Sequence, residues 1–380
     1  MTISMTAIHL DDPKGNGYHA NKSNSNVPVH ATRPRFDDLP LQPGHPKGSA
    51  WGLWGDEDER GTLNLLTEDV VLAASSEVSL GRVVSLNLPL DVPLKPMNPR
   101  RKKCSHTIVA KGHANDDEVR LFLSSSCLAL ANHFQIDFNT QSSSHWDGLR
   151  HFPYSKSKLF YNGTTQNEIS GPQASDKIGI QNLARKPIVS RGVLLDWYSY
   201  AKRENLLSSP FTNSAIPLSH LQKIAVEQGL VFRRGDILLI RTGWTAAYHL
   251  LTDDEKELLG GRDDRASVGV EATEESLRWH WEQGFAAVAS DTVAYEAWPS
   301  PKAWGVSMHE VSIAKHLFRS FADEIKVLLS GWGMPIGECW DLEVLSQVCQ
   351  ELGRWTFMLT SQPLDVPGGV ASPANATAIF

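Results

Sequence analysis

The segment Gln141–His151 carries the residues whose types and spacing best suit chemistry. It contains two histidines, His145 and His151, with Asp147 between them. Imidazole and carboxylate groups this close together can ligate a metal ion or work as a general acid–base pair. Spacing alone leaves another interpretation open, in which the segment is an ordinary polar loop and both histidines are hydrogen-bonded structural residues.

The stretch before this segment predicts how it is positioned. Residues 133–137 alternate polar and apolar side chains, which is typical of a half-buried strand. Three serines, Ser142 to Ser144, follow and indicate a loop. Catalytic groups often sit in loops at strand ends, where the backbone can bend to bring them together. We therefore predict that the cluster lies in a loop after a strand.

Elsewhere the pattern predicts alternating helices and strands. Helices are expected from Ser219 (a capping box with Gln222) to Gly229, from Thr273 to Gly284, from Ser307 onward, and from Asp341 to Gly353. Short apolar runs at 193–195, 237–240, 285–289 and 355–359 suit buried strands. This mixture predicts an α/β or α+β fold.

Composition limits the domain organisation. Of the 380 residues, 41% are apolar, which is enough for one large core. Residues 1–35 are polar and are expected to form a flexible N-terminal tail. No long linker, charge block or repeat interrupts the rest, so residues 36–380 are predicted to form a single catalytic domain.

Charge and hydropathy argue against two classes of partner. The net charge of −7 disfavours nucleic acid, and the one basic run, Arg100–Lys103, is interpreted as a solvated loop. No apolar stretch is long enough to span a bilayer, and no secretory signal is recognisable. Four scattered cysteines fit a reducing compartment. A cytoplasmic location is expected.

Several motifs together resemble the cyclase family that includes bacterial kynurenine formamidases and isatin hydrolases. The family signature reads His-x-Gly-Thr-His-x-Asp-x-Pro-x-His, and it places His145, Asp147 and His151 at matching positions. The likeness extends over roughly residues 40–380 and is similar to the longer, fungal-type branch. Further matching blocks are 51–56, 61–66, 160–163, 192–196, 234–236, 290–298, 331–338 and 363–375.

The resemblance implies a fold, an assembly and a metal. The fold would be the swivelling β/β/α architecture and the assembly a homodimer. In the hydrolytic members, the first two histidines and the aspartate bind a divalent ion such as Zn or Mn, and a late glutamate, here Glu338, completes the site. The last histidine, here His151, acts as a base or as a further ligand.

The sequence departs from the family pattern at two positions. Gln141 stands where the first histidine is expected, and an amide oxygen is a weaker ligand than imidazole for zinc. Ile325 stands where a histidine should precede Glu338. His309 and His316, further upstream, are candidates to replace it. Metal dependence is therefore left open, and no nucleotide cofactor is expected.

Residues around the motif have two interpretations. Trp146, Phe152, Tyr154 and Tyr161 could line a pocket for an aromatic or polyketide-like small molecule, or they could be core aromatics. Arg150 could bind a substrate carboxylate or form a salt bridge. Asp291 and Glu296 could approach the site from across the fold, or bond backbone amides.

Three functions follow from these residues. The leading hypothesis is an enzyme that hydrolyses or forms a C–N or C–O bond at a carbonyl, with metal assistance. In it, His145, Asp147, Gln141 and Glu338 surround the ion and His151 is the base. The second is a metal-independent cyclase, dehydratase or isomerase of natural-product biosynthesis. The third is a degenerate, non-catalytic member that binds a ligand.

Overall fold

A computed structural model describes residues 33–111, 131–299 and 327–380. One compact unit runs from Pro34 to Phe380. The predicted N-terminal tail lies almost entirely outside the described residues, as do the predicted helix from Ser307 and the residues His309, His316 and Ile325. The division into a tail and one catalytic domain stays a prediction.

A large mixed sheet organises the described part of the chain. Its nine strands run in the order β1-β13-β11-β5-β7-β9-β10-β4-β12, and β5, β7, β9 and β10 form its parallel centre. Two small two-stranded sheets, β2-β3 and β6-β8, accompany it. The strands are β1 Val83–Ser85, β2 Ser105–Lys111, β3 Ala131–Asp137, β4 His145–Asp147, β5 Ile188–Leu195, β6 Ala215–Ile216, β7 Ile237–Ile240, β8 Gly269–Val270, β9 Ala287–Ser290, β10 Ile336–Glu338, β11 Thr356–Ser361, β12 Ala371–Pro373 and β13 Ala376–Ile379.

Helices connect these strands. Those in the described residues are α1 Glu68–Ser75, α2 Gln166–Ser170, α3 Gln181–Arg185, α4 Trp197–Arg203, α5 Leu218–Glu227, α6 Trp244–His249, α7 Asp253–Gly260, α8 Glu274–Gln283 and α9 Glu343–Leu352. None of these described helices has the length and apolar character needed to cross a membrane.

Both faces of the sheet are buried. In β7, Leu238 and Ile240 pack into one apolar cluster while Ile237 and Leu239 pack into another. Alternate side chains of a strand point to opposite faces, so a strand buried on both faces is apolar throughout. This explains why the short apolar runs in the sequence predicted the central strands.

The helix predictions within the described residues are mostly confirmed, with two shifts of start: α9 begins at Glu343, two residues after Asp341, and α5 begins at Leu218, before Ser219. α8 begins after the N-cap Thr273 and ends at Gly284, which adopts a positive φ, as predicted. α9 ends at Gly353 in the same way. The Ser219 capping box is wrong, because α5 starts at Leu218 after Pro217 and has no side-chain cap.

The segment Gln141–His151 is positioned differently from the prediction. Residues His145–Asp147 are not in a loop but form the strand β4, inside the sheet between β10 and β12. The three-residue strand is too short to show a periodicity that could have predicted it. The predicted strand before it is present as β3.

His280 on α8 should make stability depend on pH. Its ring is fully buried between the Ser276 carbonyl (2.7 Å from Nδ1) and the Tyr295 hydroxyl (2.8 Å from Nε2). Burial lowers the pKa of His280 from 6.5 to about 4, so the folded state holds the neutral ring. A depressed histidine pKa contributes stability above pH 6.5 that is lost as the pH falls towards 4, by roughly 2–3 kcal/mol.

Urea unfolding of wild type and His280→Gln at several pH values measures this effect. We expect the difference in unfolding free energy between the two proteins to shrink as the pH falls from 7 to about 4.5. A difference that does not change with pH would show that His280 does not titrate in this way.

Candidate active site

The register of the sheet brings the candidate residues together from distant parts of the chain. β4 pairs antiparallel with β10, so that His145 lies opposite Glu338 and Asp147 opposite Ile336. His145 and Asp147 are two residues apart, which places both side chains on the same face of the strand. Gly337 of β10 lies opposite Trp146 and allows close packing on the other face, since a Cβ at this position would lie 2.6 Å from the Cβ of Ala289.

Three of these side chains form a buried cluster. The Nε2 atom of His145 lies 3.3 Å from Asp147 Oδ1 and 3.4 Å from Glu338 Oε2. All three side chains are at most 1% exposed. One ligand atom from each lies within 4.8 Å of the others, a spacing that could hold a metal ion.

A hydrogen bond to the backbone fixes the orientation of the His145 ring. Its Nδ1 atom lies 2.7 Å from the carbonyl oxygen of Ser143 and donates to it, which directs Nε2 at the two carboxylates. Metal-binding histidines commonly have this arrangement. Burial disfavours the charged ring, but the carboxylates of Asp147 and Glu338 outweigh burial and raise the pKa of His145 to about 9.

His151 and Gln141 also contact Asp147, His151 at Oδ2 and Gln141 at the oxygen that faces His145. The Nε2 atom of His151 lies 3.3 Å from Asp147 Oδ2, and its side chain remains 11% exposed. The Gln141 amide nitrogen lies 2.5 Å from Asp147 Oδ1 and 3.1 Å from His151 Nε2. In this orientation Gln141 donates a hydrogen bond to Asp147. The hypothesis that Gln141 ligates a metal stays a prediction, and in that role its amide oxygen, not the nitrogen, would face the ion.

The three serines before β4 anchor the loop. The hydroxyl of Ser142 donates to the Asn139 carbonyl at 2.7 Å, and that of Ser143 to the Pro89 carbonyl at 2.8 Å. The hydroxyl of Ser144 donates to the Cys339 carbonyl next to Glu338. Ser144 thus ties the start of β4 to the end of β10, while Ser142 and Ser143 fix the preceding loop.

A narrow pocket of about 90 Å³ opens next to the cluster. His151, Gln141 and Glu338 form part of its wall. Its other lining residues are Pro93, Met97, Asn98, Arg101, Ser142, Phe152, Arg265, Val293, Ala294, Trp298 and Cys339. A larger groove of about 720 Å³, lined among others by His45 and Trp51, contains none of the clustered residues. The chemistry of the cluster, rather than the volume of the groove, makes the narrow pocket the candidate site.

Of the four aromatic residues proposed as pocket lining, only Phe152 lines this pocket. Trp146 points to the opposite face of β4, where it packs against Trp340 in the core and donates from Nε1 to Ser361 Oγ at 2.8 Å. Tyr161 is fully buried and bonds Asp58 at 2.8 Å. Strand alternation explains Trp146, since its neighbours His145 and Asp147 occupy the other face.

Arg150 does not line the pocket either. Its guanidinium group donates to three backbone carbonyls, those of Lys177, Gly368 and Ser175, at 2.6–2.9 Å. Arg150 therefore holds three chain segments together. Both interpretations from the sequence, a substrate-binding residue and a salt-bridge residue, differ from this role. Asp291 accepts from the backbone amides of Thr242 and Gly243 at 2.5 and 2.9 Å, so it has the structural role of bonding backbone amides, but in the segment after β7 and not in its own turn at 291–294 as predicted.

Comparison with known proteins identifies the family of the chain. Residues 65–297, more than half of the chain, match the family described as "Putative cyclase". The chain belongs to this family. A solved structure described as a novel cyclase is 28% identical, with a TM-score of 0.69, and the match covers 87% of this chain and 99% of the other. The mixed α/β, cyclase-type fold class is thereby confirmed.

Two isatin hydrolases are more distant matches. Isatin hydrolase A from Ralstonia solanacearum is 18% identical, with a TM-score of 0.48, over 83% of this chain and 98% of the other. An isatin hydrolase bound to the product analogue thioisatinate is 14% identical, with a TM-score of 0.49, over 83% and 99%. A comparison with curated proteins gives no match. The fungal-type branch suggested by the sequence stays a prediction.

Sequence reasoning missed most of the pocket wall. Met97 and Arg265 belong to no recognisable motif, and Trp298 ends the matching block 290–298 but carries no signal that it lines a pocket. Arg101 was visible as part of the basic run but was interpreted as solvent-exposed. The basic run was the one sequence signal for Arg101. Whether the Arg101 side chain faces solvent or the pocket depends on the conformation of the folded loop.

Proposed function

We propose that this protein is a hydrolase that opens an amide or lactone of a small organic molecule with the help of a divalent metal ion. The observation that carries the proposal is the buried cluster of His145, Asp147 and Glu338 beside a pocket that His151 lines. Membership of the cyclase family supports an enzyme of this general type.

The residues present fit a divalent ion. Two buried carboxylates cannot stay ionised without a compensating positive charge. The Nε2 atom of His145 faces both of them, because its Nδ1 atom is committed to the Ser143 carbonyl. One imidazole nitrogen and two carboxylate oxygens suit Zn or Mn. When bound, such an ion supplies Lewis-acid polarisation of a carbonyl and lowers the pKa of water.

His151 is proposed as the general base. Its ring reaches the pocket, while its Nε2 atom is held 3.3 Å from Asp147. A carboxylate beside an imidazole orients the ring and stabilises its protonated form. Gln141 is proposed as a positioning residue, since its amide contacts both Asp147 and His151.

A second candidate is a metal-independent cyclase or dehydratase. It is favoured by the ion pairs of His145, whose pKa of about 9 lets the protonated ring offset the carboxylates without a metal. His151 would then move the proton alone. The third hypothesis, a non-catalytic ligand-binding protein, is less favoured because His151 still faces the pocket.

Elemental analysis combined with chelation separates these candidates. For the hydrolase we expect about one divalent ion per chain, with turnover that a chelator abolishes and added metal restores. Turnover that survives complete metal removal would favour the second candidate. If no amide, lactone or cyclisable compound is turned over and His151→Ala leaves ligand affinity unchanged, the third candidate gains support.

Metal affinity should depend steeply on pH. Because the pKa of His145 is about 9 in the metal-free protein, the ring is protonated at neutral pH and must lose its proton to become a ligand. We expect the apparent affinity for Zn or Mn to rise by roughly tenfold per pH unit from pH 7 towards 9. Calorimetric titration in buffers of different ionisation enthalpy should detect about one proton released per ion. Affinity that is flat over this range would contradict a role for His145 as a ligand.

The wider expectations remain proposals. The substrate is proposed to be an aromatic or similarly apolar small molecule, since Phe152, Met97 and Trp298 line the pocket. A homodimer, a cytoplasmic location and the absence of a nucleotide cofactor are kept as predictions from the sequence.

A further inference from the structure

We propose that the substrate of this site carries a carboxylate, which Arg101 and Arg265 bind on the wall of the pocket. The inference rests on the proposed hydrolase function and narrows its substrate class. It depends on two guanidinium groups that line the same narrow pocket as His151 and Glu338.

Arg101 belongs to the basic run Arg100–Lys103, and it is the member of the run that lines the pocket. Its Nη1 atom donates to the backbone carbonyl of Gln141 at 2.7 Å. This bond fixes the guanidinium against the segment that carries the candidate catalytic residues. Among the described residues no other bond of the Arg101 side chain is present, so its remaining N–H groups can bind a ligand in the pocket.

Arg265 reaches the pocket from a strained position. Its backbone φ is 47°, in the left-handed region that costs residues other than glycine about 1 kcal/mol or more. Such strain is often retained where a side chain has a specific task. Within the part of the chain that the structure describes, Arg265 makes no ion pair with a carboxylate.

The local charges favour an anion beside Arg265. Burial lowers the pKa of Arg265, and the positive charges of Arg101 and Arg100 lower it further. Partly buried guanidinium groups that repel each other are stabilised when an anion binds between them. The planar fork of arginine matches a carboxylate with two parallel hydrogen bonds. The narrow volume and the apolar lining favour a carboxylate on an apolar body over a bulky phosphate ester.

The two arginines could instead only offset the charges of Asp147 and Glu338. A pair of probes of nearly identical shape, benzoate and benzamide, distinguishes these roles. Their affinities are measured by calorimetry on the purified protein and again after chelator treatment. We expect benzoate to bind at least about tenfold more tightly than benzamide in both states.

Substitutions of the arginines test which side chains cause the preference for benzoate. Arg101→Met and Arg265→Met should each reduce it to about threefold or less, whereas Arg101→Lys should keep part of it. Arg100→Met removes a charge that acts on Arg265 from outside the pocket lining, so it should reduce the preference much less than Arg101→Met or Arg265→Met. Arg265→Gly should also lose the preference while its melting temperature stays equal or rises, because glycine relieves the left-handed strain. A purely structural role would not produce that combination.

Two results would overturn the proposal. One is equal binding of benzoate and benzamide by wild type. The other is a benzoate preference that vanishes with the metal but survives in both methionine variants, since the ion and not the arginines would then bind the carboxylate. Neither binding measurement requires turnover. Failure of the carboxylate proposal can therefore be distinguished from failure of the hydrolase proposal, which is tested by the metal analysis and the chelation assay.

Discussion

Asp147→Asn should lower kcat/KM for the amide or lactone that wild type opens by about 10²–10⁴-fold, with loss of most bound metal. Asp147 contacts three other candidate residues of the site, His145, His151 and Gln141. It lies 3.3 Å from both His145 Nε2 and His151 Nε2 and accepts from Gln141 at 2.5 Å. The asparagine side chain has nearly the same shape but no charge, so the ion loses a ligand and the imidazoles lose their counter-charge.

Asp236→Asn is the matched control for this substitution. Asp236 is equally buried but pairs with Arg191 at 2.7 Å and does not line the pocket. We expect this variant to have a lower melting temperature with nearly unchanged kcat/KM, because breaking a buried ion pair costs stability. If Asp147→Asn changed only the melting temperature, the proposed role of Asp147 would be wrong.

His151→Gln should lower kcat by about 10²–10⁴-fold while the protein keeps its metal and its melting temperature. His151 lies outside the buried cluster of His145, Asp147 and Glu338, and its side chain is partly exposed in the pocket. A base that is not a ligand can be removed without releasing the ion, and glutamine can keep a polar contact with Asp147, so the loss of stability should be small.

His220→Gln provides the control, because His220 accepts from Trp197 away from the pocket and should be dispensable for turnover. Metal content decides between the two roles that the sequence left open for His151. If His151→Gln released the ion together with the activity, His151 would be a ligand and not only a base. Unchanged kcat would exclude both roles.

Much of the fold could be predicted from the sequence, because its signals are local. The runs at 237–240 and 285–289 are apolar on both faces, as central parallel strands require, and they correspond to β7 and β9. Thr273 and Gly284 mark the two ends of α8. Strand order could not be predicted in this way, since it depends on contacts between distant segments.

The site was predictable only where a motif carried it. His145, Asp147 and Glu338 were identified from a family pattern, but their convergence depends on the pairing of β4 with β10. The face of Trp146 could not be known until His145–Asp147 was recognised as a strand. Arg150 and Tyr161 carry no sequence signal that separates a pocket from a buried hydrogen bond. Ile325 lies outside the described residues, so its departure from the pattern is still only a sequence observation.

The central claim is that His145, Asp147 and Glu338 hold one divalent ion beside His151. An anomalous difference map from crystals of the protein saturated with Mn²⁺ tests it most directly. We predict one strong peak among His145 Nε2 and the carboxylates of Asp147 and Glu338, with no such peak in crystals of Asp147→Asn. A peak at other residues, or none in crystals of protein that turns over its substrate, would contradict the account.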